Sequence, residues 1–164
     1  MKVYHGSTLE IPHPDTAHSK RFLDFGPGFY VTTFRTQAER WARRKCDRVR
    51  GSASPILNMY ELDGDFTGFA ILRFDGAEGQ WLDFVCDCRD GKDAGAAFDA
   101  VIGRVADDDV FRTVQSWRQG DISRERALEL LRFAGPNDQI ALKTERIIAR
   151  NLRFLQSIRL GPEK

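Results

Sequence analysis

The sequence predicts an α+β domain with a mainly antiparallel or split sheet flanked by helices. Three observations carry this. Short β-branched and aromatic runs recur from one end of the chain to the other. Helical spacings fall between them irregularly, with no βαβα alternation. No glycine-rich βα turn of dinucleotide-binding type occurs. The 164 residues contain no internal repeat and no low-complexity linker, so residues 1–164 read as one domain, long enough to bury a core.

The elements follow in order. "KVYHGST" (2–8) is a short first strand, and residues 8–27, rich in Pro, His, Asp and Gly, are a long loop of the kind that often carries function. "GFYVTTF" (28–34) is a strand, preceded by the glycines of Gly26-Pro27-Gly28, which suit a tight turn. Thr36-Gln37-Ala38-Glu39 fits a capping box, with the Thr hydroxyl on one free amide and Glu39 reaching back to another. The helix that follows repeats apolar residues at Ala38, Trp41, Ala42, Cys46 and Val49 and ends at Gly51. Its other face, Arg40, Arg43, Arg44, Lys45, Arg48 and Arg50, reads either as a solvated face or as a nucleic-acid contact.

"PILNMYELD" (55–63) and "FAILRF" (69–74) are strands, and Trp81, Leu82, Val85 and Cys86 mark a short helix. "FDAVIGRVA" (98–106) is a buried strand. "DDDVFRTVQSWRQG" is a helix with Asp107, Asp108 and Asp109 at its N-terminus, where the macrodipole favours acids. "SRERALELLRFAG" is a second helix, stopped by Gly135-Pro136. "QIALK" (139–143) is a strand, "TERIIARNL" a brief helix and "RFLQSIRL" the last strand.

Composition excludes some classes. Hydrophobic residues make up 41% and charged residues 30%, which is globular rather than disordered chemistry. Lys plus Arg is 25 against 24 for Asp plus Glu, so the net charge names no partner. No apolar run approaches the roughly 20 residues that span a bilayer. "MKVYHGST" turns polar too soon for a secretory signal, so a cytoplasmic protein without membrane contact is expected. Three cysteines, Cys46, Cys86 and Cys88, argue against a disulfide framework, and "CDC" has too few ligands nearby for zinc, so no metal is expected.

His5 on the first strand ("VYHGS"), Tyr30 on the second ("GPGFYVTT") and Gln139 opening a late strand ("NDQIAL") form an ordered series. With "DFGPGFYVTT" followed by "QAERWA", this order resembles the ADP-ribosyltransferase fold of the His-Tyr-Glu/Gln type. It is most like a group of small bacterial domains often encoded beside a small antitoxin-like protein. The resemblance covers nearly the whole chain. It implies a split, mainly antiparallel sheet and NAD⁺ as co-substrate. It also implies mono-ADP-ribosyl transfer to a macromolecule, as the toxin of a toxin–antitoxin pair. Binding of NAD⁺ or ADP-ribose without turnover, and NAD⁺ hydrolysis, stay open beside it.

The chemistry of each position suits these roles. NAD⁺ carries a cationic nicotinamide that leaves as a neutral base while its ribose passes through an oxocarbenium-like state. Tyr30 offers a ring face to a cation. Gly6 and Gly28 let backbone approach the ligand, and His5 can bond a ribose hydroxyl. Gln139 can accept from the same sugar. Trp41 lies eleven residues after Tyr30, a spacing similar to that at which poly(ADP-ribose) polymerases place a second ring on the nicotinamide, so the resemblance implies that role; it also belongs to the helix's apolar stripe. Gln139 departs from the Glu usual at its position. It supplies a dipole where Glu supplies a charge, and Asp138 next door should face the other side of the strand.

Overall fold

Alternation along the first strand decides how the layers stack. β1 (Lys2–Ser7) turns Val3 toward one side and Tyr4 and Gly6 toward the other. Val3 joins a core of Phe29, Val31, Tyr60, Leu62, Ile140 and Leu142, whereas Tyr4 packs with Ala38, Leu57 and Met59. The structure, a computed structural model, describes residues 1–49, 53–76, 79–92, 94–105, 108–132 and 137–161, and of 108, 109, 111 and 132 the backbone alone.

Seven strands and five helices occur among the described residues. They are β2 (Phe29–Val31), α1 (Arg35–Arg48), β3 (Ile56–Leu62), β4 (Ile71–Arg73), α2 (Gly79–Arg89), β5 (Ala100–Gly103), α3 (Asp108–Arg118), α4 (Arg124–Arg132), β6 (Gln139–Leu142), α5 (Glu145–Asn151) and β7 (Leu152–Arg159), after β1. The α+β class expected from sequence is what the chain forms. The strands make two sheets, β1-β3-β7 and β2-β6-β5-β4. Every pairing is antiparallel except β4 with β5, which α2 connects.

Three cores define the stack. The Val3–Phe29 core lies between the two sheets. Ala38, Leu57 and Met59 join α1 to the outer face of the first sheet. Phe25, Trp81, Leu82, Val85, Val101, Val110, Val114, Leu131 and Ala141 join α2, α3 and α4 to the outer face of the second. Among the described residues the sheets meet at one antiparallel bridge, Tyr4 with Thr32, in which each amide donates to the other residue's carbonyl at 2.8 and 3.0 Å. Beyond it the described strands β1 and β2 share no further ladder pair.

Two sequence expectations are corrected. The second strand is shorter than 28–34, because Thr33 and Phe34 leave the ladder. The Thr33 amide and hydroxyl both donate to the Asp138 carboxylate, and the Phe34 amide donates to Thr32 Oγ1. The capping box at Thr36 does not form. The helix begins one residue earlier, with Phe34 at the cap and no side-chain cap, and Glu39 accepts from Arg35 instead. By contrast, Thr144 does cap α5, its hydroxyl accepting from the Ile147 amide. The expected stops at Gly51 and Gly135-Pro136, the residue Arg50 and the side chains of Asp107, Asp108 and Asp109 lie outside the described residues. No described helix is long and apolar enough to cross a membrane.

Gly6 sets the seat of α1. A Cβ there would lie 2.0 Å from the Ala38 carbonyl oxygen and 2.6 Å from the Ala42 amide. Both partners are helix backbone, so the helix as a whole would have to move. Gly6→Ala is expected to destabilise the fold by about 3 kcal/mol, the upper part of the range for overpacking. Urea unfolding measures this, and an unchanged midpoint refutes the close seat.

Candidate functional site

The "DFGPGFY" segment is a cradle for the start of β2. Gly26 adopts φ +74°, a left-handed conformation that suits glycine. Gly28 is buried, and a Cβ on it would lie 2.9 Å from the Leu142 carbonyl oxygen of the neighbouring strand. The Ser19 hydroxyl, from the long loop, accepts from the Gly28 amide and donates to its carbonyl. Lys143 Nζ donates to the carbonyls of Phe25 and Pro27. Tyr30 then closes the turn from above. Its hydroxyl donates to the Gly26 carbonyl at 2.6 Å and accepts from the Phe25 amide at 3.0 Å. Burial is the main reason that the phenol is held well above its ordinary pKa, with the Asp24 charge next.

Tyr30 and Gln139 share a face. Tyr30 pairs with Ala141 across β2 and β6, and Gln139 lies two residues before Ala141, so all three point to the α2–α4 side. Gln139 is 3% exposed. Its Nε2 donates to Asp24 Oδ2 at 2.9 Å and to the Arg104 carbonyl at 3.2 Å. Both partners are acceptors, so the amide nitrogen must be the atom that faces them, and Oε1 is left as an acceptor. The other oxygen of Asp24 takes two hydrogen bonds from Arg89, at 2.6 and 2.9 Å.

Asp24 is therefore the residue that sequence reasoning missed. It explains why position 139 carries an amide. A carboxylate there would meet another carboxylate at hydrogen-bond distance. Asp24 opens the quoted motif, but its partner lies 115 positions away, so no local signal announces the contact. Asp138, expected on the opposite side, does turn away, to Thr32 and Thr33.

His5 occupies the gap where β1 and β2 part. Its ring stacks on Phe29, centroids 4.6 Å apart and planes at 20°. Nδ1 lies 2.6 Å from the Tyr30 carbonyl. A carbonyl only accepts, so Nδ1 carries the proton and Nε2 presents its lone pair. That lone pair faces Lys45 Nζ at 3.3 Å, and the same ammonium donates to the Gly6 carbonyl at 2.7 Å. Burial, and then the Lys45 charge, push the His5 pKa down to about 3, against the pull of the Tyr30 carbonyl. The imidazole is neutral at physiological pH.

The structure thus brings Tyr30 and Gln139 together through Asp24, and brings His5 to Tyr30 through the backbone. The His5 ring and the Tyr30 ring lie on opposite faces of β2. Trp41 is half-buried and belongs to none of the three cores. It sits one turn from Gln37, whose Nε2 donates to the Asp138 carbonyl, and one turn from Lys45. The α1 face read as solvated is partly engaged: Lys45 is bound as above, and Arg43 donates to the Gly161 carbonyl. None of the three cysteines forms a disulfide, and Cys86 and Cys88 are buried.

A family model described as "Protein of unknown function (DUF3990)" matches residues 1–154, and the chain belongs to that family. No curated protein and no solved structure matches it.

Two outcomes follow from this geometry. His5 titrates near 6.5 unfolded and about 3 folded, so between those values the unfolded chain binds a proton that the folded chain refuses. The stability that neutral His5 contributes is fully present above pH 6.5 and is lost as pH falls toward 3. His5→Gln should flatten the fall of Tm over that window, and parallel Tm–pH curves would contradict it. Gln139→Glu should destabilise by about 1–3 kcal/mol, as expected for a buried pair that has lost its donor. Adding Asp24→Asn should restore part of that loss, so a purely additive double variant in chemical denaturation would count against the Asp24–Gln139 contact.

Proposed function

We propose that this chain is an NAD⁺-dependent mono-ADP-ribosyltransferase acting on a macromolecule, with a split sheet of the ADP-ribosyltransferase type. The observation that carries the reading is that His5, Tyr30 and Gln139, far apart in sequence, are all brought to β2. The Tyr30 carbonyl holds His5, and the Tyr30 side chain shares its face with Gln139. The opening between β1 and β2 past a single bridge supports it too.

The roles follow from the donors and acceptors. Gln139 Oε1 accepts from a ribose hydroxyl, while its amide stays on Asp24. Asp24 places a carboxylate beside that sugar as positive charge develops on it, which partly replaces the charge of a Glu at 139. Tyr30, tied at its hydroxyl, offers ring surface only. Neutral His5 presents Nε2 to a sugar hydroxyl in place of the long Lys45 contact. The C–N bond to nicotinamide breaks with its electrons leaving on the neutral base, and the acceptor nucleophile bonds to C1′ and releases a proton. The setting in this reading is the cytoplasm, with a small antitoxin protein as partner.

One observation favours a second reading. Asp24 is ion-paired to Arg89, so its charge is already spent in part. A site without a free carboxylate suits a module that holds NAD⁺ or ADP-ribose without turnover.

Labelled NAD⁺ incubated with the protein and a cell lysate separates the two. A transferase should label macromolecules and release nicotinamide, and Gln139→Ala should cut turnover about 10²-fold with a smaller change in NAD⁺ affinity. Binding without nicotinamide release in any lysate leaves the module. Equal turnover in a folded Gln139→Ala protein removes Gln139 from the site.

A further inference from the structure

We propose that the solvent face of α1 binds the phosphate backbone of single-stranded nucleic acid, through a row of Arg40, Arg44 and Arg48 with Trp41 on its flank. The proposal concerns binding alone and does not rest on the transferase reading.

The positive charge of this protein is gathered on one helix. α1 carries six basic side chains, Arg35, Arg40, Arg43, Arg44, Lys45 and Arg48, against two acidic ones, Glu39 and Asp47. Over the whole chain the count is 25 against 24. The helix is therefore a cationic surface on a molecule whose remainder is slightly acidic.

Spacing turns that charge into a row. Arg40, Arg44 and Arg48 follow four residues apart, so they share a face, and the helix rises about 6 Å from one to the next. All three are exposed. Ala38 and Ala42 are buried on the other side, seated against β1 at Gly6. Arg40 and Arg48 meet no carboxylate among the described residues, whereas Arg118, Arg124, Arg126 and Arg146, on other helices, all pair with acids. The acids of α1 leave the row in excess. Glu39 accepts from Arg35. Asp47 lies at the Arg43 edge of the row and lines a cleft with Cys46 and Pro55.

Three features select the partner. First, a regular row of guanidinium groups is matched by an anion that also repeats, and each planar fork can take two oxygens of one phosphate. A small free anion would fill only one position. Second, Trp41 is half-buried and joins none of the three cores. It stands three residues before Arg44, so indole and guanidinium share one flank of the helix. An aromatic ring beside phosphate-binding arginines gives an unpaired base a surface to stack on, which a base inside a duplex cannot use. Third, the apolar side of α1 is already closed against β1, so the helix has no face left to insert into a bilayer.

Fluorescence anisotropy of a labelled single strand of about 16 nucleotides, as RNA and as DNA, tests this on the intact chain without NAD⁺. The protein should bind at low salt, with log K falling linearly against log salt. Either strand supports the surface, and the tighter of the two identifies its source. Arg40→Gln, Arg44→Gln and Arg48→Gln should each weaken binding by about threefold or more and reduce the salt slope by about 0.7. Trp41→Phe should retain affinity. A folded Trp41→Leu protein should lose about tenfold with its slope unchanged, because a stacking contact releases no counter-ion. Arg126→Gln, at a surface ion pair on α4, should alter neither quantity. No binding at low salt overturns the proposal, as does wild-type affinity and slope in a folded variant with all three arginines replaced by Gln. Polyglutamate or phosphatidylserine vesicles bound as tightly through the same arginines overturn it too, and give the face to an acidic protein or a membrane. A duplex bound as tightly as the single strand overturns the single-strand assignment and the role of Trp41. Since NAD⁺ is absent from every arm, failure of the transferase reading leaves each of these results unchanged.

Discussion

The bridge between Tyr4 and Thr32 is the constraint on which the rest of the structure depends. It is one reciprocal pair of backbone hydrogen bonds, and it alone joins the described edges of two sheets. On one side of it the sheets face each other across a shared apolar core. On the other side β1 and β2 diverge, and their edge groups need other partners. An open edge in a protein interior is costly unless each N–H and C=O is satisfied. His5 meets that demand for the Tyr30 carbonyl, and Lys45 meets it for the Gly6 carbonyl. The candidate site is thus made by filling an opening that the backbone could not close.

Gly6 shows why the opening persists. Its missing side chain lets α1 settle against β1 at the level of Ala38 and Ala42. The helix then brings Lys45, one turn beyond Trp41, over the strand end. Neighbouring residues on β1 so take opposite duties: Gly6 faces the helix and His5 faces the second sheet. The Gly-Pro-Gly turn works in the same way on β2. Gly28 lets that strand lie against Leu142, and Tyr30 ties its hydroxyl back into the turn. Both glycines make room for neighbouring backbone and so position the groups beside them.

Most of the fold was legible, because hydrophobic period and turn chemistry are local signals. "PILNMYELD" and "RFLQSIRL" read as strands for the same reason that they pair: alternate residues have a core to face. The failures are places where a distant group overrides a local preference. Thr36-Gln37-Ala38-Glu39 has the letters of a capping box, but Thr32 and Asp138 already organise the turn before α1, so the helix starts at Arg35. Lys45 has the spacing of a solvated face and is exposed, but its ammonium also reaches the Gly6 carbonyl of β1, a contact that periodicity does not show. At the site, the order of His5, Tyr30 and Gln139 was readable. Asp24 was not, since nothing in "LDFG" announces a contact with Gln139 and Arg89.

Asp24 also bears on what an amide at position 139 means. Read alone, Gln139 offers only a dipole where a Glu would offer a charge. Read with its neighbours, it is one member of an Arg89–Asp24–Gln139 chain in which every hydrogen bond runs from donor to acceptor. Replacing the amide by a carboxylate would break the direction of that chain at its last link, because Asp24 can only accept when ionised. The negative charge beside Gln139 is thus that of Asp24, in the turn. Tyr30 joins the two ends of the site, with its phenol on the Asp24 side and its carbonyl on His5.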